Sequence, residues 1–394
     1  MKLLSHIRLL ADHCAFLCMS VAHKWSRSAR KTRREEACLI VHIGHHFWGA
    51  GNVGDDLMLA GFLSELRKAE VPVRLTCCVP AHHEHLRILH PEVEWKPYAM
   101  AGRWRAISEA DCWLGLGGTP FQVDSGDWLE RHLDVEREIC ECLNKPMYFL
   151  GVGVGNAEAL QRPKYKRLIN VAKHFWGRDE MSTALLAEAS GGKASLAADM
   201  ANLFFSQHRP LHMERSIGCL LHFEDRSHFS LEAFCDLFER HSDQSRLWLI
   251  QESRHLRWSE KALWQELPAA VQAEMRLSQP EWAAQNMNEL LNCWGMPEVL
   301  ISSRYHGALM AAWSGSRVVI IARNGKLAGL ARQLGLLSVA KLSDPSALSE
   351  AISRSKAVST ESLMKLARMA SNSVKEWLQQ MFSQIAHPAY DRHI

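Results

Sequence analysis

At residues 299–307 an apolar run, Val299-Leu300-Ile301, passes directly into Ser302-Ser303-Arg304-Tyr305-His306-Gly307, and the Arg-x-His pair is placed for chemistry on an anion. A guanidinium offers a planar fork of donors that matches a carboxylate or phosphate. An imidazole two positions later can carry a proton near neutral pH. The small residues after His306 predict a helix capped by Ser302 or Ser303, and the free N–H groups and dipole of such a helix start favour negative charge. The next apolar run, over 318–322, ends in Arg323-Asn324-Gly325-Lys326 and brings more positive charge to the same sheet edge. Lys326 reads as a phosphate ligand or as solvated surface. Earlier in the chain, Gly177-Arg178-Asp179-Glu180-Met181-Ser182 again sets an arginine between strand and helix, and Arg178 facing Arg304 across a cleft would clamp a small dianion.

A second group of residues belongs to glycine-rich turns. In Trp48-Gly49-Ala50-Gly51-Asn52-Val53-Gly54-Asp55-Asp56 the three glycines satisfy the dinucleotide-binding spacing GxGxxG. Two features argue against that ligand: Asp55 and Asp56 stand where a pyrophosphate should sit, and the following strand ends in Thr76-Cys77-Cys78-Val79 without the ribose-binding acid. The two carboxylates suit the positive end of a helix. They equally suit sugar hydroxyls, as hydrogen-bond acceptors or as a base. Gly51 and Asn52 let a ligand or the facing domain approach that turn. Gly117, Gly118 and Gln122, after the strand at 112–116, read as room for a ligand or as a tight turn only, and Gly151-Val152-Gly153-Val154-Gly155 forms a third such end with the same two readings. Three glycine-rich strand ends in one half of the chain suggest a cleft wall.

These residues are spaced by alternating short apolar runs and amphipathic stretches, the pattern of repeated βα units with parallel sheets. Strands are predicted over 37–44, 71–79, 112–116, 146–154 and 174–177, and helices over 55–70 and 128–143. After a polar junction at 208–210 the alternation resumes, with strands over 217–223, 246–251, 298–302 and 317–322 and helices over 230–241 and 283–293. A final helix over 360–384 is placed to cross back to the first half. The fold class is therefore α/β, two Rossmann-like domains whose sheets face across a cleft in the GT-B manner, with residues 37–208 and 209–394 as the two halves. Open α/β sheets bind ligands at the carboxyl ends of their strands.

Residues 1–36 form a separate extension. Leu3, Ile7, Leu10, Cys14, Leu17 and Val21 draw an apolar helical stripe, and Lys24, Arg27, Arg30, Lys31, Arg33 and Arg34 follow it. Such a segment can lie on an anionic membrane surface or dock on the protein's own core. Arg8, Asp12 and His13 interrupt the apolar stretch of the first 22 residues and argue against a secretory signal. With 46 Lys and Arg against 43 Asp and Glu among 394 residues, the net charge of +3 speaks against a nucleic-acid binder. Eleven cysteines without metal-ligand spacing fit reduced thiols in a cytoplasm and no metal site.

Taken in order, the GN-x-GDD helix start, the GG-x-x-F-Q turn, RD-x-x-S and SR-x-HG resemble polysaccharide pyruvyl transferases, and the stretch from Ser316 to Lys326 and on through Leu334-Gly335-Leu336 is similar to that family's closing block. The resemblance spans roughly residues 40–336. It implies a GT-B-like fold, no cofactor, phosphoenolpyruvate as donor bound by the second half, and a saccharide or lipid-linked oligosaccharide acceptor on the first. It also implies that the two donor-binding arginines fall on Arg178 and Arg304 and the essential histidine on His306. Thr119-Pro120 departs from the family pattern, which tends to carry a glycine and an apolar residue there. A nucleotide-sugar glycosyltransferase and a non-catalytic saccharide-binding protein are the alternatives on the same fold.

Overall fold

In the computed structural model, the described residues are 38–44, 51–79, 84–123, 127–208, 213–222, 239–241, 244–252, 260–292, 294–340 and 344–385, with Met19, Trp48 and Cys235. The extension at 1–36 (Met19 apart), Gly49, Ala50 and most of the helix expected over 230–241 lie outside them. The apolar runs become strands, because runs rich in Val, Ile, Leu and aromatics suit a sheet covered on both faces. β1 (Leu39–Gly44), β2 (Val73–Val79), β3 (Val93–Pro97), β4 (Cys112–Leu116), β5 (Met147–Val152), β6 (His174–Gly177) and β7 (Ala194–Leu196) form one sheet in the order β3-β2-β1-β4-β5-β6-β7. The second sheet takes β8 (Met213–Leu220), β9 (Ser245–Leu249), β10 (Arg276–Ser278), β11 (Met296–Ser302), β12 (Arg317–Ile321) and β13 (Leu337–Val339) in the order β10-β9-β8-β11-β12-β13. All the pairings are parallel.

Strand order reverses between β1 and β4 in the first sheet and between β8 and β11 in the second, and crevices open at such switch points. The helix Val53–Lys68 begins shortly after β1, and the helix Tyr305–Trp313 follows β11 directly. The two helices share one apolar core that runs from Leu57, Met58 and Phe62 through Met200 and Phe204 to Leu220, Leu300 and Leu309. Gly61 sits against the Met200 carbonyl with no room for a Cβ, so the helix Val53–Lys68 is pressed onto the helix Ala201–Gln207.

The long helix Thr360–Ile385 packs on the first sheet, although the elements before it belong to the second. Trp377 is fully buried with its ring centroid 5.6 Å from that of Phe62, the Trp176 indole N–H donates to Glu376 at 2.9 Å, and Ser371 hydrogen-bonds Glu65. Among the described residues no helix is long and apolar enough to cross a membrane.

A candidate active site where the two sheets meet

At the end of β11 the Ser302 side chain turns the backbone by accepting from Arg304 N–H and donating to Arg304 C=O, each at 3.0 Å. Arg304 itself is the cap residue of the helix Tyr305–Trp313 and makes no side-chain cap. The serine cap expected from sequence is therefore replaced. Gln251, beyond the end of β9, supplies the oxygen instead, with Oε1 accepting the Gly307 N–H at 2.9 Å. Ser303 Oγ is used elsewhere and accepts the His222 N–H at 2.7 Å.

Arg304 lies 7% exposed between two carboxylates, with Nε 3.1 Å from Glu260 Oε1 and Nη2 hydrogen-bonded to Glu252. Burial opposes its charge, but the two carboxylates more than offset that and raise its pKa. Glu260 Oε2 accepts the backbone N–H groups of Gln251 and Glu252, both at 3.1 Å. Burial raises the Glu260 pKa, Glu252 adds to the effect and Arg304 opposes it.

His306 follows on the same helix start, 7% exposed, and its ring lies on Gly54 in the first turn of the helix Val53–Lys68. A Cβ on Gly54 would stand 2.1 Å from His306 Nδ1, so only glycine lets the imidazole come this close. On its other side, His306 Nε2 is 3.3 Å from Asp199 Oδ2. Asp199, 1% exposed, follows β7, and the same oxygen accepts from Arg178 Nη1 at 3.3 Å. Burial would raise the Asp199 pKa, yet His306, Arg178 and the Ala201 N–H hold it below the ordinary carboxylate value.

Arg178, at the end of β6, is 1% exposed. Its Nη2 donates to Thr119 Oγ1 at 3.0 Å and its guanidinium carbon lies 4.1 Å from the Tyr305 ring centroid, a cation–π contact. The Thr119 departure thus places a hydroxyl on an arginine. From the second domain, Gln333 donates to the Arg178 carbonyl at 3.1 Å.

Asp55 belongs to this cluster, being electrostatically coupled to Arg304, Glu252 and Asp199. Burial and the neighbouring carboxylates Asp56, Glu252 and Asp199 push its pKa up to about 8, against the pull of Arg304. Asp56 instead pairs with His90, Oδ1 3.6 Å from Nε2, with both side chains buried. Asn52 is the cap of the helix Val53–Lys68, Oδ1 accepting from Gly54 N–H at 3.1 Å, and Gly51 before it has φ of 83°.

The other sequence candidates are spread more widely. Gly117 and Gly118, both at positive φ, pack on Met58, whose sulfur accepts the Gly118 N–H. Gln122 stands beside Gly155, and Gly325 in turn faces Met181 and the Gly155 carbonyl. Lys326, in the first turn of the helix Gly325–Leu334, acts with Arg304 and Arg323 on His222. Burial first, and then these three cations, bring the His222 pKa down to about 2.

The structure thus brings Arg178, Arg304, His306, Asp55 and Asn52 together. It adds Asp199, Gln251, Glu252, Glu260 and Tyr305, none of which the sequence singled out as site residues. Glu252 could have been found as an acid just past an apolar run, like the other strand ends. Asp199 has only the weak signal of Asp199-x-x-Asn202 after an unrecognised short strand.

Solved structures of the same architecture include a protein from Listeria monocytogenes described as a UDP-N-acetylglucosamine 2-epimerase, with a TM-score of 0.57, 13% identity and coverage of 88% of this chain and 98% of that one. The UDP-GlcNAc 2-epimerase of Methanocaldococcus jannaschii aligns with a TM-score of 0.54 at 11% identity over 87% of this chain and 100% of its own. That of Neisseria meningitidis, solved with UDP-GlcNAc, aligns with a TM-score of 0.52 at 11% identity over 88% and 100%. At these identities the likeness is one of fold, two Rossmann-like domains of GT-B type. No curated protein matches the sequence. The family model for polysaccharide pyruvyl transferases matches residues 52–325, from the cap of the helix bearing Gly54 to the start of the one bearing Lys326. Since that span takes in both sheet crevices and more than half of the chain, the protein belongs to the polysaccharide pyruvyl transferase family.

Proposed function

We propose that the protein transfers the pyruvyl unit of phosphoenolpyruvate to a saccharide and leaves it as a cyclic ketal. The observation that supports this reading best is the meeting of Arg304 and His306 from one domain with Arg178 and Asp199 from the other. Two arginines suit the carboxylate and phosphate of the donor. Lys326 and Arg323 add positive charge on the phosphate side.

His306 gives a proton to the methylene carbon, which becomes a methyl group, while a sugar hydroxyl adds to C2. The C2–O bond to phosphate then breaks, with its electron pair leaving on phosphate, and a second hydroxyl of the same sugar adds to C2 and gives its proton to the released phosphate. Asp199 stabilises the imidazolium at its Nε2 side, and the arginines stabilise charge that grows on the leaving group. Asp55, once deprotonated, takes the proton of an attacking hydroxyl. The described cysteines are free thiols, which accords with a cytoplasmic enzyme. For a lipid-linked acceptor, the amphipathic and basic residues 1–34 would provide contact with an anionic membrane surface.

The test is phosphate release from phosphoenolpyruvate over a panel of saccharides, beside His306→Ala. Release that needs an acceptor and disappears in the variant supports the reading. Thermal stabilisation by UDP-sugars with neither release nor stabilisation by phosphoenolpyruvate would overturn it.

A further inference from the structure

Gln251 is 2% exposed, and each of its four polar atoms has a partner. Its N–H donates to Glu260 at 3.1 Å and its C=O accepts from Val53 N–H at 3.3 Å. The side-chain oxygen accepts from Gly307 N–H at 2.9 Å, and the side-chain nitrogen donates to Asn52 Oδ1 at 3.0 Å. Val53 and Asn52 start the helix that carries Gly54, whereas Gly307 lies in the first turn of the helix that carries His306. One side chain therefore fixes the distance between the surfaces that meet where the His306 ring lies on Gly54. Asn52 and Glu252 continue this link as a short antiparallel bridge.

We propose that Gln251 is a positioning residue that holds His306 in register with the first domain, so that Nε2 meets Asp199. Its amide suits the task because one end accepts from the second domain while the other donates to the first. A buried donor or acceptor left alone is costly, so the link resists shear in either direction. The kinetic part of this proposal rests on the reaction proposed above; the structural part does not.

The experiment is a double-variant cycle on Gln251→Ala and Asn52→Ala, with Asn52→Asp as the conservative control. Hydrogen exchange at the Gly54 and Gly307 amides is followed beside phosphate release. Both single alanine variants should speed exchange at the two amides while amides of β4 and β5 keep their rates. Each should lower kcat by about tenfold or more, a displacement effect, and change KM for phosphoenolpyruvate far less. The double variant should lose no more than the worse single one, because both remove the same link. Asn52→Asp keeps an oxygen for Gly54 N–H and for Gln251, so exchange at Gly54 and Gly307 should stay slow in it. Additive losses, or unchanged exchange at Gly54 and Gly307 in Gln251→Ala, would overturn the proposal. If the parent enzyme releases no phosphate, the proposed reaction fails and the exchange measurements alone decide the role of Gln251.

Discussion

Asp199 Oδ2 stands 3.3 Å from both Arg178 Nη1 and His306 Nε2, so one buried oxygen joins a guanidinium of the first domain to an imidazole of the second. Replacing Asp199 by Asn keeps the shape and removes the charge. We expect kcat for acceptor-dependent phosphate release to fall by about a hundredfold, the scale of general acid catalysis. The fold should persist, as circular dichroism would register. Unchanged kcat in a folded Asp199→Asn enzyme would remove Asp199 from the proton-transfer step.

Asp55, with its pKa raised to about 8, carries a proton below that pH and is a base only above it. In the proposed role the deprotonation of Asp55 should therefore appear in kcat/KM as a limb near pH 8 that rises with pH. Asp55→Asn should lose both the limb and most of the activity. A pH profile that keeps the limb in the variant assigns it to another group.

Glu252 occupies a donor of Arg304 that an incoming dianion would use. Glu252→Gln should let phosphoenolpyruvate bind more tightly, with KM falling several-fold, because the substrate no longer displaces a carboxylate. It should also lower the Asp55 pKa, since Glu252 helps to raise it, and shift the limb of the pH profile downward. A KM that rises would mean that Glu252 itself holds substrate or Arg304 in place.

Trp377 is fully buried against Phe62, away from the charged cluster. Trp377→Ala should destabilise the protein by about 3–5 kcal/mol, the range for large aromatic deletions in a core. Chemical denaturation should show the loss, and the KM of the surviving folded fraction should be unchanged.

Much of the frame was legible in the chain. The central strands β1, β4 and β11 contain the apolar runs Leu39-Ile40-Val41, Cys112-Trp113-Leu114 and Val299-Leu300-Ile301, so their existence and the glycine or Arg-x-His sequences that follow them could be read directly. None of the four edge strands could be read: β7, β10 and β13 span three residues each with little apolar signal, and in β3 (Val93–Pro97) charged residues break the apolar pattern. Missing β7 also hid Asp199, because an aspartate gains meaning only when it is known to stand at a strand end. Arg304 and His306 were readable because strand, arginine and histidine lie within a few residues. Gln251 and Glu260 were not, since Gly307 and Arg304 become their neighbours only when the second domain folds, and Asn52 reaches Gln251 only when the two domains meet. The similarity of Asp55 and Asp56 in sequence concealed opposite fates, because adjacent helical residues point in different directions.

The helix Thr360–Ile385 completes the packing of the first domain, although every strand of the second domain is synthesised before it. The amino-terminal sheet thus leaves the ribosome with the groove for Trp377 still unfilled, at the very face where Phe62 and Trp176 wait. Domains of multidomain chains commonly fold in order of synthesis. Here the first one stays provisional until the last helix emerges, and a chain arrested or clipped before residue 360 would expose that apolar groove to chaperones and proteases.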